Sequence, residues 1–183
     1  MRRLIRLWIP VVLMLSMISC AENNQSPSDS SDYFDVAAFF NSESDRLRKS
    51  GYRLEKTFEW DGGAETKTLD TPDWKSELEP FEKSTLGKNP SMLYFADSVR
   101  NGDSWIIIYH AKDSATALRK MIVYGNTADP DSILIVRAVS NMYYKASDTL
   151  FYSGSGFSMN VSNDSRAGKD AGFRLEGKII TPN

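Results

Sequence analysis

Cysteine and histidine are almost absent from this 183-residue chain, and their scarcity excludes several kinds of chemistry. The single cysteine, Cys20, excludes an internal disulfide, because a disulfide needs two cysteines. The single histidine, His110, excludes a metal site built from several histidines. The sequence also contains no phosphate loop, dinucleotide fingerprint or Gly-x-Ser-x-Gly elbow. We therefore expect a protein that is not an enzyme and needs no cofactor.

The chain also lacks a basic excess and a long apolar run. Residues 7–18 carry no charged side chain, but a membrane-spanning helix needs about 20 apolar residues. The 22 Lys and Arg fall to 19 if Arg2, Arg3 and Arg6 are removed with a signal peptide, which leaves a net charge of −5 against 24 Asp and Glu. Nucleic acid attracts proteins with a basic footprint. This charge argues against nucleic acid as a partner.

The amino terminus has the pattern of a secretory signal, in which basic residues precede a short apolar stretch. The residues Met17-Ile18-Ser19-Cys20 resemble the lipobox of bacterial lipoproteins, with Met17 where leucine is usual. The resemblance implies cleavage after residue 19, lipid such as palmitate on Cys20, and attachment to the membrane through that lipid. In enterobacterial lipoproteins an aspartate directly after the cysteine is the inner-membrane retention signal. Ala21 stands at that position here, so by this analogy the outer membrane is favoured. The alternative is an ordinary signal peptide and a chance cysteine.

Residues 20–31 are expected to join the lipidated cysteine to the folded part. The segment "AENNQSPSDSS" after Cys20 contains no aromatic and no large aliphatic side chain, so it cannot bury enough apolar surface to fold. Eleven such residues have a root-mean-square reach of roughly 18 Å. The expected organisation is thus a signal peptide at 1–19, a lipidated tether at 20–31 and one domain at 32–183.

Two helices are predicted in the first half of the domain. The first begins with Asp32 as its cap and ends before Gly51, and its apolar residues recur at helical spacing. The second begins with Thr71 as its cap, and Pro80 should end it near Leu78 or kink it, since proline removes a backbone donor. Between them, alternating residues on both sides of "DGG" predict a β-hairpin over 52–69.

The second half reads as strands joined by short turns, which favours antiparallel pairing. The predicted strands are 92–99, 104–111, 118–124, 133–146, 149–153, 157–161 and 173–180. We expect a bend near Ser140-Asn141 in the longest strand. "WIIIY" at 105–109 and "ILIV" at 133–136 lack alternation, so both strands should be covered on both faces, and the first should be central. The fold class is therefore α+β, with two helices packed on a curved antiparallel β-meander that forms a half-barrel or open barrel.

The chain resembles a group of small uncharacterised lipoproteins from Bacteroidota. The resemblance rests on the signal with Cys20, on "DYFDVAAFF", on "DWKSELEPF" and on "YYKASDTLFYSGSGF" with "FRLEGKI". It covers most of residues 32–180, and the chain departs from the pattern at Pro80, where an unbroken helix is expected. The resemblance implies a cellular location and a fold but no activity.

Aromatic residues are the main functional feature of the sequence. They could line a cavity for an apolar ligand or simply fill the core, and they are Trp60, Trp74, Trp105, Tyr109, Tyr143, Tyr144, Phe151, Tyr152 and Phe157. We interpret the protein as a cell-envelope lipoprotein that binds a partner protein or an apolar ligand. The alternative is an envelope hydrolase that uses His110 or the carboxylates of Glu77, Glu79 and Glu82.

Overall fold

Three helices and nine strands occupy the residues that the computed structural model describes, which are 33–127, 129–142, 144–165 and 171–182. The helices are α1 (Val36–Lys49), α2 (Trp74–Glu82) and the one-turn α3 (Pro90–Leu93). The strands are β1 (Arg53–Trp60), β2 (Gly63–Leu69), β3 (Tyr94–Asn101), β4 (Ser104–Ala111), β5 (Leu118–Asn126), β6 (Asp129–Ser140), β7 (Tyr144–Ser153), β8 (Gly156–Ser165) and β9 (Ala171–Ile180). The predicted signal peptide, tether and Cys20 lie outside the described residues.

All nine strands form one open antiparallel sheet in the order β2-β1-β9-β8-β7-β6-β5-β4-β3. Strands β3 to β9 follow one another as a meander, and the β1–β2 hairpin joins the free side of β9. The described fold confirms the predicted α+β class and the open antiparallel meander.

The helices cover one face of this sheet. Phe40 of α1 and Phe81 of α2 are fully buried, and their ring centroids lie 5.1 Å apart. Tyr152 of β7 packs edge-on against Phe40 with ring centroids 5.1 Å apart, which ties the helices to the sheet. The buried cluster that contains α1 and α2 includes strand residues such as Ile133 and Ile135, which alternate along β6 and so point to the same side. We call this side the helix-covered face and the opposite side the open face.

Both predicted helix caps were wrong, because each helix begins later than the sequence indicates. Asp35, not Asp32, caps α1, and its Oδ1 accepts a hydrogen bond from the Ala38 amide at 2.9 Å. Asp73, not Thr71, caps α2 in the same way. In each case the aspartate stands directly before the first helical residue, where a carboxylate reaches the free amides of the first turn.

Of the two outcomes predicted for Pro80, an end of the helix near Leu78 was wrong, because α2 continues through Pro80 to Glu82, whereas a kink stays a prediction. Proline in a helix interior removes one hydrogen bond. Leu78 and Phe81, three residues apart, are both buried against the core. Burial of both side chains on one helix face offsets the lost hydrogen bond.

Residues 133–146 do not form one strand, and the expected bend near Ser140-Asn141 is a complete chain reversal. β6 ends at Ser140 and β7 begins at Tyr144. The side chain of Asn141 accepts a hydrogen bond from the Tyr144 amide at 3.0 Å, and the Asn141 amide donates to the Tyr144 carbonyl at 3.0 Å. A local asparagine turn therefore replaces the bulge. The strand predicted at 149–153 is the second half of β7.

The "WIIIY" strand is neither central nor buried on both faces. β4 is second from one edge of the sheet, beside β3. Ile107 packs against the helix-covered core, whereas Ile106 and Ile108 point to the open face and are partly buried. "ILIV" in β6 shows the same asymmetry, because its first and third residues are fully buried and the others only partly. The apolar residues of these strands therefore serve two different surfaces.

Candidate functional site

One row of side chains crosses the open face and changes from apolar to polar half-way. Cross-strand pairing places Ile108, Ile122, Leu134, Phe151, Ser158, Glu176, Thr57 and Thr66 in this row, in that order. The polar half is ordinary for a solvated antiparallel face, and the Thr57 and Thr66 hydroxyls there lie 3.0 Å apart. The apolar half departs from that rule.

The neighbouring rows widen the apolar half into a patch. Val99, Ile106 and Tyr124 align beside the first row, and Val136 lies beside it on the other side. We call the following eight residues the open-face patch: Val99, Ile106, Ile108, Ile122, Tyr124, Leu134, Val136 and Phe151. Val99 is 63% exposed, Phe151 39% and Tyr124 37%, whereas Ile122 at the centre is only 7% exposed and the other four are partly buried. The patch spans five adjacent strands, β3 to β7.

Charged groups stand around the open-face patch rather than within it. Asp97 pairs with Ile108 from the β3 side, and Lys120 pairs with Val136 at the other margin. An apolar centre with a polar rim is the arrangement of protein-binding surfaces. Single exposed apolar residues are common on monomeric proteins, whereas a contiguous group of this kind is a candidate interaction site.

Among the described residues, the centre of the helix-covered face offers no comparable apolar opening, because aromatic side chains from the helices and the sheet fill it. Phe39 and Phe81 both pack edge-on against Tyr152, with ring centroids 6.1 Å away in each case. Phe81 also packs against Phe157 at 5.9 Å. Such edge-to-face pairs stabilise a packed core. The helices occupy the space that a carrier cavity on this face would need.

The aromatic residues singled out in the sequence do not come together around one cavity. Four of them, Trp74, Tyr109, Tyr152 and Phe157, belong to the buried core, which confirms the core-filling interpretation for these four. Trp60 is exposed on β1, Tyr144 and Phe151 are exposed towards the two ends of β7, and Trp105 is partly buried. Tyr143 lies outside the described residues.

A polar cavity of about 480 Å³ lies between α1 and the start of β6. Its main feature is an ion pair in which the Arg46 guanidinium donates to both oxygens of Glu43, at 2.6 and 2.7 Å. The Tyr152 hydroxyl donates to the same carboxylate. Burial raises the pKa of Glu43, but hydrogen bonds from Arg46 and Tyr152 outweigh it and hold that pKa below its usual range.

Tyr152 and Arg46 are shifted in the complementary direction. Burial, together with the Glu43 carboxylate, raises the pKa of Tyr152, and the hydrogen bond to Glu43 raises the pKa of Arg46. All three groups therefore hold their ordinary protonation states more firmly than they would in water. This network stabilises the α1–β7 contact and offers no group poised to exchange a proton near neutral pH.

The residues of the hydrolase alternative are dispersed. His110 is exposed on the open face between Phe95 and Lys120. The α2 carboxylates lie on the other side of the sheet, each with its own partner: Glu77 with Lys56 at 2.6 Å, Glu79 with Lys83 at 2.7 Å and Glu82 with Asn41 at 3.0 Å. The sheet separates the histidine from the carboxylates, so the two forms of the hydrolase alternative would use different sites.

A second, smaller apolar surface lies near the far end of β1. Phe58 stacks on Trp60 with ring centroids 5.5 Å apart, and Phe173 of β9 lies 5.3 Å from Phe58. Phe58 is 37% and Trp60 44% exposed. A Cβ on Gly63 would come within 3.1 Å of the Trp60 ring, so the glycine leaves room for the indole. We call Phe58, Trp60 and Phe173 the aromatic cluster.

Comparison with known proteins gives no relative from which a function could be inferred, so the functional argument depends on the surfaces described above. The chain matches no protein-family model, no curated protein and no solved structure. None of the helices in the described residues is long and apolar enough to cross a membrane. The one clue to the open-face patch in the sequence was the missing alternation in "WIIIY" and "ILIV". That pattern predicted two apolar faces but not that one of them stays open.

Proposed function

We propose that this protein is a non-enzymatic lipoprotein of the bacterial envelope, anchored through Cys20 in the outer membrane, which binds a partner protein through the open-face patch. The observation that carries the binding function is the change from apolar to polar along a single row of the open face. A polar row would cover the whole sheet if this face only met solvent. The signal and the lone Cys20 support the proposed location.

A protein suits the open-face patch better than a small apolar ligand. Small-ligand sites are concave and enclose most of the ligand surface, whereas the patch is a broad sheet surface. The cavities of about 480, 420 and 370 Å³ lie beside α1, and a depression of about 280 Å³ touches the patch only at Phe151. Because the two charged residues named at its rim, Asp97 and Lys120, are of opposite sign, we expect the partner to present a flat apolar surface and not one with a strong charge of a single sign.

Photo-crosslinking in intact cells tests the partner. A benzophenone amino acid replaces Phe151 in the patch or, as the control, Asn160, which is exposed on the polar half of the same face. We expect one discrete heavier adduct from position 151 and none from position 160. Val99→Lys, at a position that is 63% exposed, should weaken that adduct several-fold while the protein stays folded.

Two results of this experiment would overturn the proposal. Equal labelling at positions 151 and 160 would show that the patch has no special partner. An adduct of twice the chain's mass would assign the patch to a second copy of this chain instead of a different protein.

Substitution of Cys20 tests the anchor. Cys20→Ala removes the only thiol in the chain, so it should abolish labelling by an alkyne fatty acid and release the protein from the membrane fraction. Cys20→Ser is a matched variant that retains a small polar side chain and should behave in the same way. A variant that remains labelled and membrane-bound would contradict lipid attachment at this residue.

The aromatic cluster supports a second candidate, the binding of an apolar ligand. Its stacked rings are open to solvent at the margin of the helix-covered face, where an acyl chain could lie across Phe58 and Phe173. Lauric acid should then change the tryptophan fluorescence of the protein, and Trp60→Phe should remove that change. A response that persists in Trp60→Phe would place the fatty acid elsewhere.

A further inference from the structure

The chain from Cys20 reaches the described fold at Tyr33, beside one lateral edge of the sheet. The Tyr33 ring stacks on Tyr109 of β4, with ring centroids 5.7 Å apart. The Phe34 amide donates a hydrogen bond to the Tyr109 hydroxyl at 3.0 Å. These contacts fix the point at which the segment leading to the anchor joins the domain, next to the outermost strands β4 and β3.

Three large apolar side chains lie exposed on α3 and β3, which is the strand next to β4. Met92 is 73%, Phe95 60% and Leu93 41% exposed. They occupy the end of α3 and the start of β3. A Cβ on Gly87 would lie 3.7 Å from the Leu93 side chain, and Gly87 lines the same cavity as Tyr33. We call Met92, Leu93 and Phe95 the tether-side edge.

Lys112 holds the tether-side edge in place and adds a cationic head to it. Its amide donates to the Leu93 carbonyl at 2.8 Å, and its Nζ donates to the Ser91 carbonyl at 2.7 Å. The Nζ also lies 4.9 Å from the centre of the Phe95 ring. A lysine whose stem and head lie beside exposed apolar groups suits the boundary between lipid tails and headgroups.

Charge does not dominate the tether-side edge. The exposed cations Lys88 and Lys112 are offset by Asp97 and Asp113, which are also exposed. Attraction to an anionic surface needs a basic excess, so any contact with a membrane here depends on the apolar side chains. Removal of such side chains from water contributes about 25 cal/mol per Å² of apolar area.

We propose that the tether-side edge docks on the surface of the bilayer that holds the lipidated Cys20. This inference rests on the proposed anchor. Thirteen residue steps from Cys20 to Tyr33 span at most about 45 Å, so the anchor keeps this edge of the domain close to the lipid at a high effective concentration. Docking of this edge sets the sheet at a fixed orientation, with β2, the opposite edge, held away from the membrane.

A pair of single-cysteine positions tests this orientation. Met92→Cys lies in the tether-side edge, and the control Ala64→Cys is exposed on β2, eight interstrand spacings or about 38 Å away along the sheet. The full chain is expressed with its signal, purified, labelled with a nitroxide and reconstituted in vesicles of phosphatidylethanolamine and phosphatidylglycerol at 3:1. Because lipid occupies the Cys20 sulfur, only the introduced cysteine reacts.

Power saturation then compares the access of oxygen and of a water-soluble nickel chelate to each label. We expect the label at position 92 to favour oxygen and the label at position 64 to favour the chelate. Replacement of phosphatidylglycerol by phosphatidylcholine should leave this contrast unchanged. Equal access of the chelate to both labels would overturn the docking proposal. Failure of the anchor is distinguished by the unsubstituted chain, which would then itself take up the nitroxide at a free Cys20.

Discussion

Leu134 and Ile135 are consecutive residues of β6 that face opposite sides of the sheet, and their truncation tests whether the open-face patch is open. Ile135 is fully buried beneath the helices, whereas Leu134 is partly buried within the patch. Ile135→Ala removes a packed side chain and leaves a cavity, which costs about 2–5 kcal/mol. Leu134→Ala removes carbons that keep part of their contact with water, so we expect a loss of only about 1 kcal/mol.

Urea unfolding of the purified, unpartnered protein measures this difference. With an m-value of about 2 kcal/mol per molar urea, Ile135→Ala should lower the midpoint by about 1–2.5 M. Leu134→Ala should lower it by about 0.5 M. The m-values of the two variants must agree, because a changed slope would mean that the denatured or native state had changed in compactness.

An equal loss for the two variants would refute the reasoning. It would mean that Leu134 is packed as firmly as Ile135 in the isolated protein, so another part of the chain would have to cover the open face. The binding proposal would then lose its surface. The reverse order, with Leu134 the more costly, would in addition contradict the assignment of the helices to one face.

Two further predictions concern ionisable groups. Because the pKa of Glu43 is lowered in the folded protein, its carboxylate stabilises the fold at pH values above the ordinary 4.5, and this stability is lost as the pH falls through the lower folded pKa. Glu43→Gln should therefore reduce the difference between the urea midpoints measured at pH 7 and at pH 3.5. An unchanged difference would contradict the role of the Arg46 and Tyr152 hydrogen bonds. His110 is exposed, so His110→Gln should alter the free energy of unfolding by no more than about 0.5 kcal/mol and should leave the cellular phenotype intact, whereas loss of function in a folded variant would support a hydrolase.

Local signals predicted the local elements of this fold. The sequence "RNGD" is a turn signal between the strands predicted at 92–99 and 104–111, and Gly102 there has a φ of 60°, a conformation that glycine adopts readily. The turn at "DGG" between β1 and β2 was predicted for the same reason, and Gly62 has a φ of 113°. In both turns a few adjacent residues determine the structure, so the sequence alone is sufficient.

Tertiary packing determined the features that could not be predicted from the sequence. Nothing within α2 shows that burial of Phe81 carries the helix past Pro80, because the surface against which it packs comes from distant strands. In the same way, the missing alternation around Ile107 showed that both faces of β4 are apolar. Only the placement of both helices on one side explains why one face became core and the other became the open-face patch.

Because of the position of β9, strands β1 and β2 cannot join the sheet until β9 has formed. β9 lies between β8 and β1, and Arg53 of β1 pairs with Ile180 near the end of the chain. A β1–β2 hairpin alone is at best marginally stable, so these first strands to be synthesised have no lasting partner until β9 has been made. Pairing across such a separation is slow to form. Truncation within β9 would leave β1 and β2 without a sheet to join and would expose the unpaired edge of β8 to other chains.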